Sequence, residues 1–302
     1  MILVDNRQST DPYFNLALEE FLIRTLNCED CDYLLLYVNE PSLVLGKNQS
    51  IYKEVNFDFL RNGQLKLARR ITGGGTVYHD LGNLNFCIIT KFHDSKVNNY
   101  RYFNMQVIDA LGRAGIDAHL DERNNIISHG KKISGSAQFT NRKNIISHGT
   151  LLFNADLNVL RASLKKNDFK VESKAVASVN SSVMNMNEVN NKLNSVADLR
   201  QYLVKELGTT RIHELSSGDM QEVEQLRADK FEKNDWIYGR SPFTTIEKDG
   251  LVIEVEDGRV KSITGEPNPE FADLTGLPYE FNTIKKALEN YPNALQLLTR
   301  VF

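Results

Sequence analysis

Apolar and polar positions follow two different periods along the first half of the chain, which predicts an α+β fold. Residues 11–26 show helical spacing behind a capping Asp11 and a proline, and residues 100–114 repeat that spacing. Short apolar runs bounded by Gly, Asn and Pro predict strands at 33–38, 43–45, 66–68, 76–78 and 84–90. Strand and turn texture continues over residues 117–153.

The hexapeptide NIISHG occurs twice, at 125–130 and at 144–149. We interpret the copies as hairpin strands of similar composition rather than as a structural repeat, because six residues are too few for a repeat unit. Residues 180–194 contain six asparagines and few large apolar groups, which predicts a mobile loop. Helical patterns follow at 196–207 and 219–233.

A domain boundary is predicted where the turn-like sequence GRSP follows Trp236. It divides the chain into a large domain, 1–241, and a small α+β domain, 242–302. In the small domain, Asp-Gly pairs between alternating residues predict two or three short strands. Helices are expected at 282–290 and after Pro292.

Composition narrows the class of protein. With 302 residues, 41% hydrophobic and 25% charged, the chain has the balance of a folded globular protein. A formal charge of −3 argues against binding to nucleic acid phosphates. No apolar run approaches the ~20 residues that span a bilayer, and no basic stretch precedes an apolar one at the N-terminus. We expect a cytoplasmic protein with no nucleic acid or membrane partner.

The three cysteines do not predict a disulfide framework or a metal site. Cys28 and Cys31 form a C-x-x-C beside three acidic residues, which would raise the pKa values of the thiols. A zinc site would need a second pair or histidines at ligand spacing. Cys87 lies in an apolar strand pattern.

The stretch RRITGGGTVYHDLGN, residues 69–83, carries the strongest chemical signal. Three consecutive glycines between strands allow close backbone approach, and their amide groups can bind one anion together with Arg69 or Arg70. The alternative is a tight turn with solvated arginines. The segment fits neither G-x-G-x-x-G nor G-x-x-x-x-G-K-[ST], which disfavours a dinucleotide dehydrogenase and a P-loop hydrolase.

Two further segments carry polar groups that could join the glycines. In KKISGSAQ, residues 131–138, strand alternation places Lys132, Ser134 and Ser136 on one face. The alternative for Lys132 is a solvated position on an edge strand. In HGTLLF, His148 could be a catalyst or an ordinary core histidine. The histidine and serine spacings favour neither a zinc hydrolase nor a serine hydrolase.

Five segments together resemble the lipoate-protein ligase A family over roughly residues 1–240. They are RRITGGGTVYHDLGNLNF, RNNI, KKISGSAQ, HGTLLFNADL and KAVASVNSSV. The C-terminal part resembles the accessory domain of that family, joined through WIYGRSP. The resemblance implies an α+β, mixed-sheet catalytic domain of the biotin/lipoate protein ligase type. It also implies ATP- and Mg²⁺-dependent activation of lipoate or octanoate, followed by transfer to a carrier lysine.

The resemblance also implies roles for individual residues. Lys132 would be the catalytic residue, between the lipoate carboxylate and the α-phosphate. The groups that bind ATP and its phosphates would be Arg70, Gly73, Gly74, Gly75, Thr76, Val77, Tyr78 and Lys132. Lipoate would contact Arg70, His79, Lys132, Ser134, Gly135, His148 and Gly149. Asn124 and Asn125 would lie near the metal or the incoming amine, and Lys174 and Ser178 on a loop that covers the adenylate.

Other parts of the substrates are assigned more broadly. Candidates for an apolar tunnel around the acyl chain are Leu18, Leu45, Val77 and Leu151, each of which is also an ordinary core residue. The carrier would be a lipoyl domain of a 2-oxoacid dehydrogenase E2 subunit or the H protein of glycine cleavage.

The chain departs from the family pattern at two places. Asn125 stands where the family commonly has Asp, and Asn180 and Ser182 stand where it has arginines. These departures leave open a degenerate, non-catalytic lipoyl-binding module. A second alternative is an ATP-independent octanoyl or lipoyl transferase, which would need a cysteine in the site if it worked through a thioester.

Overall fold

Strands and short helices alternate along the computed structural model, which describes residues 1–61, 65–164, 167–179, 181–190, 192–265 and 268–301. Asn180 lies outside the described residues. The strands are β1 Ile2–Val4, β2 Tyr33–Tyr37, β3 Ser42–Leu45, β4 Lys66–Arg69, β5 Val77–His79, β6 Asn83–Lys91, β7 His119–Leu120, β8 Ile126–Ser128, β9 Lys131–Ser134, β10 Ser136–Thr140, β11 Asn144–Leu152, β12 Lys170–Ser173, β13 Arg211–His213, β14 Thr244–Lys248, β15 Leu251–Glu256 and β16 Arg259–Thr264.

The α-helices in the same residues are α1 Pro12–Thr25, α2 Ile51–Glu54, α3 Phe57–Arg61, α4 Tyr100–Arg113, α5 Leu157–Ser163, α6 Val196–Glu206, α7 Ser217–Leu226, α8 Asn234–Ile237, α9 Phe281–Ala287 and α10 Pro292–Leu298. Short 3₁₀ helices occur at Asp94–Lys96, Met186–Glu188, Pro269–Leu274 and Thr299–Val301. A π-helical turn at Arg227–Phe231 follows α7. In these parts of the chain, every helix is too short or too polar to cross a lipid bilayer.

A six-stranded mixed sheet forms the centre of the molecule, in the order β10-β11-β6-β2-β1-β13. The first four strands are antiparallel, and β1 runs parallel to both of its neighbours. Alternation on β2 sends Leu34 and Leu36 into the core with α4 and α6, and Leu35 and Tyr37 into the core with α1. The sheet is therefore covered by helices on both faces, as the α+β prediction requires.

Two small sheets carry the predicted chemical segments. In the first, β3 pairs parallel with β4 and antiparallel with β5, so the glycine-rich segment crosses from one side of β3 to the other. In the second, β8 pairs antiparallel with β7 and β9. The β9 strand carries Lys132 and is followed directly by β10 of the central sheet.

The C-terminal part of the chain shares a β-sheet and a hydrophobic core with the preceding part. Its strands β14, β15 and β16 form an antiparallel sheet with β12, which precedes the predicted boundary. One hydrophobic core joins Leu45 and Tyr52 to Ile253 and Leu274. The division at 241/242 stays a prediction.

Most predicted elements are present, and two are corrected. The Asp11 carboxylate accepts a bond from the Tyr13 amide and begins α1 as predicted. The prediction of a mobile loop at 180–194 is wrong for its middle, because Met184 and Met186 are buried in the core with α4 and α6. The predicted helix at 219–233 begins at Ser217, and its α-helical part ends at Leu226.

Candidate active site

The glycine-rich segment is shaped from within by Arg70, which is 5% exposed. Its Nη2 donates to the carbonyl oxygens of Gly73 and Gly75 at 2.6 and 2.7 Å, and its Nη1 to that of Val44 at 2.9 Å. Burial lowers the pKa of Arg70 to about 10, so the guanidinium is charged at neutral pH. Because a trans peptide points its N–H opposite to its C=O, the Gly74 amide faces away from Arg70.

The preceding arginine has a different role. Arg69 is fully buried, and its guanidinium donates to the carbonyl oxygens of Ile237, Gly46 and Gln49 at 2.7, 2.9 and 2.8 Å. It therefore fastens the chain after β3 to the segment that leads into the C-terminal part. The alternative of a turn with solvated arginines is wrong for both residues.

Close packing explains two of the glycines around the turn. A Cβ on Gly46 would lie 2.0 Å from the Gly74 carbonyl oxygen, and a Cβ on Gly75 would lie 2.9 Å from Ser178 Oγ. Gly74 itself has a φ of +90°, which L side chains rarely adopt. Gly73 has no neighbour within 4 Å of such a Cβ. Close approach thus explains glycine at positions 46 and 75, and backbone conformation explains it at position 74.

A cavity of about 290 Å³ opens beside this loop, enclosed by strands of three sheets and by the chain after β12. The residues that line it are Leu16, Tyr37, Val44, Arg70, Gly74, Gly75, Thr76, Val77, His79, Asn85, Arg123, Asn125, Lys132, Gly135, Ser136, Ala137, His148, Gly149, Thr150, Val176, Ala177, Ser178, Val179 and Ser181. Its described lining contains the cations Arg70, Arg123 and Lys132 and no Asp or Glu. The cavity is therefore suited to anionic ligands.

Lys132 lines this cavity, and its strand β9 is not a free edge of a sheet. Its amide donates to the Ser182 carbonyl oxygen at 2.8 Å, and its carbonyl oxygen accepts from the Met184 amide at 3.1 Å. A Cβ on Gly135 would lie 2.9 Å from Lys132 Nζ, so Gly135 makes room for the ammonium. Burial lowers the pKa of Lys132, the Asp121 carboxylate opposes that change, and Arg70 adds to it. The solvated-edge alternative is wrong for Lys132, whereas Lys131 is exposed.

A strap of residues, 174–179 and 181, passes over the cavity. Ser178 joins it to the glycine loop, because Ser178 Oγ accepts from the Thr76 amide at 2.9 Å. The same hydroxyl donates to the buried Glu54 carboxylate, and Gln49 Nε2 donates to it at 3.1 Å. The Ser178 amide also donates to Glu54 at 3.0 Å. Ser178 is therefore the anchor of the strap.

The inner end of the cavity is a buried polar network. Glu19 accepts from Tyr37 OH at 3.0 Å and pairs with His148 Nδ1 at 2.7 Å, while His148 Nε2 lies 2.8 Å from Thr72 Oγ1. His148 therefore lines the cavity, and both of its ring nitrogens have hydrogen-bond partners within the protein. Sequence reasoning missed Glu19, which lies 129 positions from its histidine.

His79 differs because one of its nitrogens has no partner. Asn39 Nδ2 lies 2.9 Å from His79 Nδ1, and Asn39 Oδ1 accepts from Asn15 Nδ2 at 2.8 Å. That orientation makes Nδ1 the acceptor and leaves the hydrogen on Nε2, which has no partner among the described residues. Burial, with Arg70 and His148 nearby, lowers the pKa of His79 to about 3. His79 is a neutral N–H donor at the cavity wall.

Several predicted site residues lie outside the described lining. Tyr78 points into the core with β3, and Gly73 is an exposed residue of the loop. Ser134 is 1% exposed and its Oγ has no described partner. The Asn124 carbonyl oxygen accepts from Asn104 Nδ2, and Lys174 is exposed. Of the tunnel candidates Val77 lines the cavity, and those outside it are Leu18, Leu45 and Leu151.

Comparison with known proteins places these observations in a family. Residues 11–208 match the lipoyl protein ligase A/B catalytic domain. A lipoate-protein ligase of Bacillus subtilis is 34% identical over 96% of this chain and 94% of its own length. The chain belongs to the lipoate-protein ligase family. Over the matched residues, the glycine loop, Lys132 and the strap are thus parts of a lipoate-protein ligase fold.

Solved structures of lipoate ligases have the same fold. A lipoate-protein ligase A with bound ATP is 25% identical, with a TM-score of 0.68 over 80% of this chain and 98% of that one. A Thermoplasma acidophilum protein with bound lipoic acid is also 25% identical, with a TM-score of 0.67 over 79% and 98% of the two chains. A second Thermoplasma acidophilum structure, of a bipartite lipoate protein ligase and its E2 lipoyl domain, is 25% identical, with a TM-score of 0.68 over 79% and 96%. These structures confirm the predicted mixed-sheet fold.

Proposed function

We propose that the protein is an ATP-dependent lipoate-protein ligase. It activates lipoate or octanoate to the acyl-AMP with release of pyrophosphate, then transfers the acyl group to a lysine of a lipoyl carrier domain. The observation that carries this proposal is the described cavity lining, which combines Lys132, Arg70 and Arg123 with the glycine loop and contains no Asp or Glu.

The first step requires two anions to meet. A carboxylate oxygen of lipoate attacks the α-phosphorus of ATP, the P–O bond to pyrophosphate breaks, and pyrophosphate leaves with the electron pair. Lys132 and Gly74 both line the cavity, so in this proposal the Lys132 ammonium contacts the carboxylate and the α-phosphate, and the Gly74 amide supplies a further donor. One such donor contributes about 2.7–4 kcal/mol by analogy with oxyanion holes.

The donor set also bears on magnesium. The described residues contain no group of three or more His, Cys, Asp or Glu that could hold a metal ion. Mg²⁺ commonly keeps several waters and is held largely by substrate phosphates, so this cavity fits an ion that enters with ATP. A bound ion would neutralise pyrophosphate charge.

The second step requires a lysine amine at the acyl carbon. The nitrogen forms the amide bond, the acyl–oxygen bond breaks, AMP leaves with the electron pair and the amine loses a proton. No cysteine side chain takes part in this scheme. Cys28, Cys31 and Cys87 are all outside the described cavity lining, and burial raises the pKa of Cys28 to about 12. These facts favour the ligase over a thioester-forming transferase.

The carrier is a lipoyl domain of an E2 subunit or an H protein, and the E2 lipoyl domain of the Thermoplasma acidophilum system supports the first choice. The test incubates the protein with ATP, Mg²⁺, lipoate and a panel of apo carriers, and follows each carrier by intact mass. We expect a lipoyl mass increment together with lipoate-dependent pyrophosphate release.

Two other results would replace the proposal. Movement of octanoyl groups between carriers without ATP would indicate the transferase. Saturable lipoate binding with neither adenylate nor carrier modification would indicate the non-catalytic module.

A further inference from the structure

The turn between β7 and β8 is built around one carboxylate. Asp121 Oδ1 accepts from the amides of Arg123 and Asn125 at 2.9 and 2.8 Å, and Oδ2 accepts from Asn125 Nδ2 at 2.8 Å. Burial raises the pKa of Asp121, but these hydrogen bonds outweigh it and hold the pKa below its usual value. Asp121 is therefore ionised at neutral pH.

These bonds determine which end of the Asn125 amide faces the cavity. Because Nδ2 is held by Asp121, Oδ1 is the free end, and no described residue donates to it. A Cβ on Gly135 would lie 3.9 Å from Asn125 Oδ1 and 2.9 Å from Lys132 Nζ. The amide oxygen and the ammonium thus both lie beside the same glycine, at one end of the cavity.

The negative charge of Asp121 also acts on Lys132. It raises the pKa of Lys132 against the effects of burial and of Arg70. The other ionisable side chains of the described lining are Arg123, His79, His148 and Tyr37, whose pKa is raised by burial, and none of them supplies a negative charge. Asp121 is therefore the acidic group that acts on Lys132, although it does not line the cavity itself.

We propose that Asp121 is a positioning residue of the ligase reaction, which acts through Asn125 on the reacting groups beside Lys132. It orients the Asn125 amide so that Oδ1 can accept a hydrogen bond from a primary amine, and it favours the ammonium form of Lys132. Position 125 carries an amide instead of a carboxylate, and Asp121 supplies a carboxylate that is hydrogen-bonded to that amide. This inference rests on the proposed ligase function.

The kinetic test moves the carboxylate between the two positions. Asp121→Asn should slow both lipoyl-AMP formation and acyl transfer from lipoyl-AMP to the carrier lysine about tenfold, the lower end of the range for groups that orient reactive residues. The alkaline limb of its pH–rate profile should move to lower pH, because Lys132 loses its proton more readily. The double variant Asp121→Asn/Asn125→Asp returns a carboxylate to the turn and should be faster than Asp121→Asn alone.

Glu122→Gln is the matched control, since it removes an exposed carboxylate from the next position in the chain. It should leave both the rate and the pH profile unchanged. If Asp121→Asn matches wild type in rate and profile, the proposal is overturned. It is also overturned if the activity lost in Asp121→Asn is explained by a lower melting temperature alone and the double variant restores none of it.

A second measurement does not depend on ligase activity. Trace acetylation of each variant by acetic anhydride across a pH series, read at the Lys132 peptide by mass spectrometry, follows the protonation of that amine. The Asp121→Asn curve should lie at lower pH than those of wild type and Glu122→Gln. If wild type makes no lipoyl-AMP, the proposed function fails, while this curve still decides whether Asp121 acts on Lys132. Coincident curves overturn that role.

Discussion

The two ends of the cavity use polar groups in opposite ways. At the inner end, the Glu19 carboxylate, Tyr37, His148 and Thr72 satisfy one another at 2.7–3.0 Å. At the outer end, no described residue accepts a hydrogen bond from Lys132 Nζ. The inner network holds its shape without a ligand, whereas the outer cation keeps its donors for a ligand. Donors already held in place at a reacting centre cost no reorganisation during the reaction.

The largest expected effect is at the outer end. Lys132→Ala should reduce lipoyl-AMP formation about 100-fold or more, because it removes the ammonium that we propose to contact both the lipoate carboxylate and the α-phosphate. The melting temperature should change little, since Lys132 makes no side-chain hydrogen bond within the described protein. Pyrophosphate release and thermal unfolding are the measurements.

Lys131→Ala is the control, because Lys131 is the adjacent exposed residue of the same strand. A loss of lipoyl-AMP formation of less than tenfold in Lys132→Ala would show that Lys132 is not part of the mechanism. The difference between the two ends of the cavity would then have no role in the reaction.

A smaller effect is expected where the strap meets the glycine loop. Gly75→Ala places a Cβ 2.9 Å from Ser178 Oγ, whereas Gly73→Ala meets nothing within 4 Å. Gly75→Ala should raise the KM for ATP and slow adenylation about tenfold, a loss of about 1.4 kcal/mol. Steady-state kinetics of the two variants, compared at equal folded concentration, provide the test. Equal kinetics would show that the strap does not need its anchor.

At the inner end, the expected effect is on stability. The pKa of His79 is about 3 in the folded protein against an ordinary 6.5, so between these values the unfolded chain binds a proton that the folded one refuses. Stability should therefore fall as pH drops below 6.5, with a contribution from His79 of up to about 1.4 kcal/mol per pH unit. Urea unfolding at pH 6.5, 5.5 and 4.5 measures the slope.

His79→Gln should flatten that slope, and His119→Gln, at an exposed position, should leave it as in wild type. If stability depended on pH equally in wild type and His79→Gln, burial of the His79 imidazole would not destabilise the protein at low pH.

The smallest effect is expected at the cysteines. A variant with Ser at positions 28, 31 and 87 should keep the wild-type rate of ligation per folded molecule, because an adenylate makes a thioester unnecessary. Cys87 is fully buried, so the rate is corrected for any loss of folded protein. An acyl-thioester trapped on any of the three, detected by mass spectrometry, would contradict the ligase mechanism.

The sequence was most informative where local pattern sets geometry. Alternation along β5 separates Val77 and His79, which face the cavity, from Tyr78, which faces the core, and applying it there would have removed Tyr78 from the site. The same rule failed for Ser134, because the pairing of β8 with β9 shifts register between Lys132, which lies opposite Ile127, and Ser134, which lies opposite Ile126. Period-2 reasoning holds only where the strand pairing is regular.

Contacts between distant parts of the chain could not be predicted in this way. Glu54 anchors Ser178 across 124 positions, and nothing in the α2 sequence marks that glutamate as part of the site. The sequence predicts that Arg70 binds phosphate, but three of its donors hold carbonyl oxygens of the protein. Its role as a ligand-binding residue stays a prediction.

The strap over the cavity is fixed at both ends. β12 pairs with β14 immediately before it, and Val183 bridges to Lys132 immediately after it. Apart from Ser178, whose side chain anchors it, a segment fastened in this way tolerates changes of side chain, but it cannot change length without moving Ser178 off Glu54 or pulling on one of the two pairings. Insertions and deletions between positions 173 and 183 should therefore be selected against more strongly than substitutions.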